Sequence, residues 1–317
     1  MTDLHVISVI SNPVRYRTRV KLFREFMERM EKYPSVTLWV VEGTFGNREP
    51  TVLDPHNPRH IRVRCKHELW HKENLINIGA RHAIAAGAKK LGWCDGDIAF
   101  IDHNWATETL EALEHYSAVQ PFTDILDMDP CHRPMTWNKG LGYCYVMGDR
   151  LGPNNKFQGQ KYGGPYWHPG YAWFFPVDVW HGLGGMIERA IVGSGDYHMS
   201  CAMVGVGGRS FPKQMHANYK HMVMEWQKRA DRFVCGNVGF VPGTIYHYYH
   251  GAKENRRYKD RWKIMFDNEY DPYADVVING EGVLEYAPGH RSNPKKRQLE
   301  NDLRFYFRER REDDQAA

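Results

Sequence analysis

Gly92-Trp93-Cys94-Asp95-Gly96-Asp97-Ile98-Ala99-Phe100 sets two carboxylates one glycine apart between apolar flanks. Residues 91–94 read as a short strand, so the acidic pair falls on the turn where a sheet strand ends, the place where open α/β sheets bind ligands. Carboxylates two residues apart on a turning backbone can converge on one hard cation, and a cation held there can hold a diphosphate. Asp-Gly-Asp is also ordinary turn chemistry, so the triplet needs support from its surroundings.

Upstream, strand and helix alternate. Residues 4–10 read as a buried strand closed by Ser11-Asn12-Pro13. From Val14 the period becomes helical, with Val20, Phe23, Phe26/Met27 and Met30 on one face and Glu25/Arg29 and Glu28/Lys32 paired outside. Strands follow at 36–41 and 61–65. A helix over 73–90 turns Leu75, Ile78, His82/Ala83 and Ala86 inward. This alternation predicts an α/β fold with a mostly parallel sheet. Downstream, Asn104 is placed to cap a helix through about Tyr116. Residues 123–168 are glycine-rich and without period, which predicts a long lid or binding loop. The tail from Gly280 is polar, with a mixed-charge helix around 303–311, and divides the chain into a main unit (1–265) and an extension (266–317).

With 317 residues, 42% of them hydrophobic, the chain can bury a core without covalent staples. Its six cysteines contain no close pair, so neither a zinc knuckle nor a disulfide framework is suggested, which fits a reducing compartment. The N-terminus enters a strand-like run without a basic leader, and no run of about 18 apolar residues occurs. A cytoplasmic protein without a membrane partner or an obligate protein partner is expected. A net charge of +4 is too modest to indicate nucleic acid by itself. Ten Trp and eighteen Tyr leave a surplus that either fills the core or lines a groove stacking sugars or bases.

Four further stretches carry chemistry. Ser11-Asn12-Pro13-Val14-Arg15-Tyr16-Arg17 puts amides and two arginines at a strand end, suited to phosphate or a base, or to a plain capped helix. Trp70 and Lys72 stand just ahead of the helix carrying Leu75-Ile76-Asn77-Ile78-Gly79. Gly193-Ser194-Gly195-Asp196 puts a carboxylate on a glycine-permitted turn, as a general base or a helix cap. His247-Tyr248-Tyr249-His250 spaces two imidazoles as a metal pair can be spaced.

Taken in order, these stretches over residues 4–262 resemble a GT-A fold nucleotide-sugar glycosyltransferase of the beta-1,4-galactosyltransferase or family 2-like type. Pro13-Val14-Arg15-Tyr16-Arg17 matches that family's Pro-x-Arg-x-Arg nucleotide grip, and Leu75 to Gly79 its Leu-Leu-Asn-x-Gly helix. Asp95-Gly96-Asp97 matches its Asp-x-Asp, Gly193 to Asp196 its acidic catalytic motif, and His247 to His250 its Met-x-x-His metal site. The resemblance implies a GT-A, Rossmann-like sheet and a UDP-sugar donor held by Pro13, Arg15, Arg17, Trp70, Lys72, Asn77, Asp95 and Asp97. It further implies a divalent metal, Mn²⁺ or Mg²⁺, on Asp97, His250 and His247, with Asp196 as catalytic base of an inverting transfer.

Two departures bear on these roles. Ser194-Gly195 stands where the family has Gly-Glu, which removes one acceptor-facing carboxylate and implies a different acceptor. His247 replaces Met, which shifts metal preference. The acceptor stays open among hydroxymethylated DNA bases, glycans, lipid-linked intermediates and proteins. Arg15, Arg17, Arg19, Lys21, Lys295, Lys296 and Arg297 are the basic residues a DNA acceptor would use, with the base flipped from the stack. A metal-dependent nucleotidyltransferase and a non-catalytic sugar- or nucleic-acid-binding module are the rival readings.

Overall fold

The computed structural model describes residues 3–148, 167–258 and 260–314. The chain begins with β1 (Leu4–Ser11), α1 (Arg17–Met30), β2 (Val36–Phe45), β3 (His60–Cys65), α2 (Lys72–Ala85), β4 (Lys90–Cys94) and β5 (Ile98–Phe100). It continues through α3 (Trp105–Ala112), β6 (Ala118–Gln120), β7 (Asp124–Met128), β8 (Pro134–Gly140), α4 (Leu141–Val146), β9 (Trp167–His168) and β10 (Ala172–Pro176). Next come α5 (Val177–Leu183), α6 (Gly195–Met203), α7 (Ala217–Phe233), β11 (Val238–Phe240), β12 (Thr244–His247) and α8 (Trp262–Asp267). The hairpin strands β13 (Val276–Ile278) and β14 (Leu284–Tyr286) and the helix α9 (Pro294–Glu309) complete it.

The expected α/β architecture is present. A seven-stranded sheet in the order β11-β6-β10-β4-β1-β2-β3 is parallel throughout except for β10, which runs antiparallel to β4 and β6. Helices cover both faces, so its central strands read as continuous apolar runs. α1 buries Leu22, Phe23, Phe26 and Met30, close to the expected face. A second sheet, β5-β12-β7-β8-β9, packs beside the first. Its register sets His247 opposite both Asp127 and Ile98, and that pairing builds the site described below.

Several elements differ from expectation. α2 stops at Ala85 because Gly87, at φ +94°, turns the chain before β4, and His82 faces solvent while Ala83 faces the core. Asn104 does not cap α3; Asp102 instead accepts from the Asn104 backbone N–H at 2.8 Å. Residues 124–146 form two strands and a helix rather than a loop. Their period is hidden because β8 exposes Pro134 to Trp137 and buries Asn138 and Lys139. The remainder of the expected lid, residues 149–166, lies outside the described residues. α9 starts nine residues earlier than the mixed-charge pattern suggested, where Asn293 accepts from Lys295 N–H and Pro294 opens the first turn.

The C-terminal residues pack onto the start of α1. Asp313 accepts from the backbone N–H groups of Arg17 and Thr18 at 3.0 and 2.8 Å and so caps α1. Tyr16 donates its hydroxyl to the Phe307 carbonyl at 2.8 Å and accepts from the Arg311 N–H at 3.0 Å. Arg310 and Glu312 are thereby placed in the wall of the main cleft. Among the described residues, no helix is long and apolar enough to cross a membrane.

Candidate active site

A cavity of about 870 Å³ opens at the C-terminal ends of β1 and β4. β4 ends at Cys94, and Asp95 N–H donates to the Tyr171 carbonyl at 2.7 Å. Gly96 lies flat against the Phe23 ring, where a Cβ would collide, so only glycine turns the chain this closely. Asp97 follows, and its carbonyl accepts from Tyr248 N–H at 2.9 Å as β5 pairs with β12. That pairing carries Asp97 to the histidines. Its Oδ2 lies 3.0 Å from His250 Nε2, which lies 3.3 Å from His247 Nε2.

The three side chains offer ligand atoms that all lie within 4.8 Å of one another. The donor set fits a divalent cation on three observations. His250 Nε2 faces a carboxylate oxygen, a second imidazole nitrogen and the Arg256 guanidinium at 2.8 Å, more than one proton or one lone pair can satisfy. Asp97 Oδ1 is buried with no hydrogen-bond partner. The tautomer of His247 is fixed by Asp127, whose Oδ1 accepts from Nδ1 at 2.7 Å and leaves the Nε2 lone pair facing the cluster.

Asp127 is a buried carboxylate with a full set of donors. It also accepts from Lys253 at 2.7 Å, Thr136 at 2.5 Å, Asn138 at 3.0 Å and Tyr171 at 3.4 Å. Burial opposes its charge, yet these bonds hold it well below the usual carboxylate range. Burial keeps His247 below its ordinary value in spite of Asp127, so the imidazole is neutral and able to ligate.

Next to this cluster, Lys72 Nζ lies 2.6 Å from Asp95 Oδ1 and 3.9 Å from Asp196 Oδ2. Burial pulls the ammonium down, but Asp95 and Asp196 more than offset this and hold it above its ordinary value. Asp95 is pushed up by burial, against the attraction of Lys72. Asp196 is the second residue of α6, whose N-cap position is Ser194 rather than the expected Asp196, and its Oδ1 accepts from Tyr197 N–H at 2.8 Å within the first turn.

Sequence reasoning missed Glu73, which is 1% exposed, beside Lys72 and against the backbone of Gly195. Burial pushes its carboxyl from 4.5 up to about 8, despite Lys72. A folded pKa above the unfolded one means that stability from this group is complete below about pH 4.5 and is lost as pH rises through about 8. Glu73→Gln fixes the neutral form. Its melting temperature is therefore expected to pull ahead of the wild type between pH 5 and 9, by roughly 2–4 °C per kcal/mol recovered. Parallel melting curves of the two proteins across that range would contradict the assignment.

Of the other expected residues, Pro13, Trp70, Lys72, Asp95, Asp97, Asp196, His247 and His250 all line the one cavity. Arg15 and Arg17 do not. Both are exposed and line a neighbouring cavity of about 670 Å³, while Arg19 takes the place inside the cleft. Asn77 is also elsewhere: its amide accepts from Met186 N–H at 2.8 Å and donates to Glu188 at 3.1 Å, tying α2 to the loop after α5. Lys295 and Lys296 pair with Glu269 and Asp275 at 2.5 and 2.6 Å, and Arg297 donates to the Arg291 carbonyl at 2.7 Å.

No protein-family model matches the chain, and no curated protein does. Matches to solved structures are at low identity and low TM-score. One is the catalytic domain of Drosophila beta1,4-galactosyltransferase 7 with xylobiose, 11% identical over 63% of this chain, with a TM-score of 0.33. A mutant of that enzyme with manganese, UDP-Gal and xylobiose is 12% identical over the same share, also at 0.33. This chain spans 60% of the length of either structure. The 4-diphosphocytidyl-2C-methyl-D-erythritol synthase of Anaerococcus prevotii is 7% identical over 82% of this chain and 96% of its own, with a TM-score of 0.39.

Proposed function

We propose that the protein is a metal-dependent inverting glycosyltransferase, hexosyltransferase in type, moving a sugar from a nucleotide diphosphate donor, a UDP-sugar, to an acceptor hydroxyl. The observation that carries this reading is the placement of Asp97, His247 and His250 in the same cleft as the Asp95–Lys72–Asp196 chain of charges. Asp97, His247 and His250 would hold a divalent ion, Mn²⁺ or Mg²⁺. When bound, that ion supplies neutralisation of charge on the departing diphosphate.

The chain's own residues do the rest. Pro13 and Trp70 border the nucleotide end, and Asp95 contacts the ribose or the sugar. Lys72 keeps Asp95 ionised and in place, and its second contact draws Asp196 toward the donor. Asp196 takes the proton from the acceptor hydroxyl as that oxygen attacks the anomeric carbon on the face opposite the diphosphate, which inverts the centre. Tyr197, Phe211, Pro212 and Trp262 give the same cavity apolar and aromatic walls suited to a sugar face. A carbohydrate acceptor is therefore preferred over DNA, whose expected C-terminal contacts Lys295 and Lys296 are neutralised internally.

The test is release of UDP from a panel of UDP-sugars with Mn²⁺, with and without EDTA, followed by mass analysis of candidate acceptors. EDTA-sensitive UDP release supports the reading. Pyrophosphate release with nucleotide incorporation would replace it with nucleotidyl transfer, and binding without turnover would leave a non-catalytic module. Asp127→Asn should lower Mn²⁺ affinity about 10–100-fold, the usual cost of removing the group that orients a ligating histidine. Unchanged Mn²⁺ titration of that variant would mean that Asp127 serves only the fold.

A further inference from the structure

Three guanidiniums are buried in the wall of the cleft: Arg256 at 9%, Arg261 at 6% and Arg310 at 5% exposure. Arg310 has an anion, since its Nε donates to Glu312 at 2.5 Å. Arg256 and Arg261 have none within 4.0 Å among the described residues, and the groups they donate to are an imidazole and three hydroxyls. Arg256 donates to His250 Nε2 at 2.8 Å and to the Tyr258 hydroxyl at 3.1 Å. Arg261 donates to Ser194 Oγ at 2.5 Å and to the Tyr306 hydroxyl at 3.4 Å. The Nε of each is buried without a partner. Glu312 is itself shared by Arg19 and Arg310, which leaves it for neither Arg256 nor Arg261. A guanidinium taken out of water without an anion is costly, and the cost is recovered when a ligand brings the anion.

We propose that Arg256 and Arg261 form a clamp for the diphosphate of the donor, spanning the space between the His250 and Ser194 sides of the cleft. The proposal rests on the nucleotide diphosphate donor named above and assigns the residues that recognise its phosphates. Planar guanidiniums match phosphate oxygens two at a time, which an ammonium does not. Arg256 touches the proposed metal ligand His250, and Arg261 touches Ser194, two residues before Asp196, so the clamp joins the two halves of the site. Tyr258 positions both, bonding Arg256 and lying 5.1 Å from the Arg261 guanidinium through its ring.

The experiment titrates the full chain, by calorimetry and thermal shift in EDTA, with inorganic pyrophosphate, UDP and uridine. Wild type is expected to bind pyrophosphate without metal. Arg256→Met and Arg261→Met should each weaken pyrophosphate and UDP at least tenfold, leave uridine within about twofold, and melt no lower than wild type without ligand. Arg→Lys at either site should fall between. Wild-type pyrophosphate affinity in the Met variants, an equal loss of uridine, or a lowered ligand-free melting temperature would each overturn the clamp and make these arginines structural. Arginine-dependent pyrophosphate binding in a protein that turns over no nucleotide sugar would instead overturn the glycosyltransferase reading and leave the clamp standing.

Discussion

Asp97→Ala and His250→Ala are each expected to reduce Mn²⁺-dependent UDP release by about three orders of magnitude or more while the far-UV circular dichroism stays native. A bound ion contributes several kcal/mol of transition-state charge stabilisation, and each 1.36 kcal/mol is tenfold in rate. Both side chains belong to the cluster in which Asp97 Oδ2 and His250 Nε2 stand 3.0 Å apart, so neither loss leaves a full donor set. Direct Mn²⁺ titration should show the same loss in affinity, which separates this role from damage elsewhere in the cleft. His247→Met should keep activity and move the metal preference, because a thioether is softer than an imidazole. Full turnover in excess EDTA, or unchanged Mn²⁺ binding in both alanine variants, would end the metal-dependent mechanism.

What the sequence made legible was local. Asp95, Asp97, Asp196, His247 and His250 sit in short stretches whose residue types already imply chemistry, and the strand and helix periods around them are strong. Asp127 carried no such signal. It is one acidic residue in a five-residue strand, and it matters only because β7 and β12 pair in the register that sets it opposite His247. The arginines of the cleft wall were hidden for the same reason. Arg256 and Arg261 look like part of a solvated basic run, and Arg310 and Glu312 like a polar tail, until α9 folds back and Asp313 caps α1. Arg15 and Arg17 erred the other way. Their motif placed them correctly at a strand end, but φ +71° at Arg15 turns that side chain out, and Arg19, in the first turn of α1, enters the cleft.

Asp196→Asn should bind UDP-sugar within a few fold of wild type and lose about two to four orders of magnitude in transfer, the span expected for a positioned general base. The amide keeps the shape and the ability of Oδ1 to accept from Tyr197 N–H, so the first turn of α6 survives the change. It removes the charge that faces Lys72 at 3.9 Å and the lone pair that would take the acceptor proton. A purely structural role in the first turn predicts another pattern, because weakening α6 would shift Ser194 and with it Arg261, and donor binding would fall together with transfer. Calorimetry with a non-hydrolysable UDP-sugar, set beside transfer rates for the same preparation, distinguishes the two. Loss confined to transfer makes Asp196 the base, and joint loss makes its role structural.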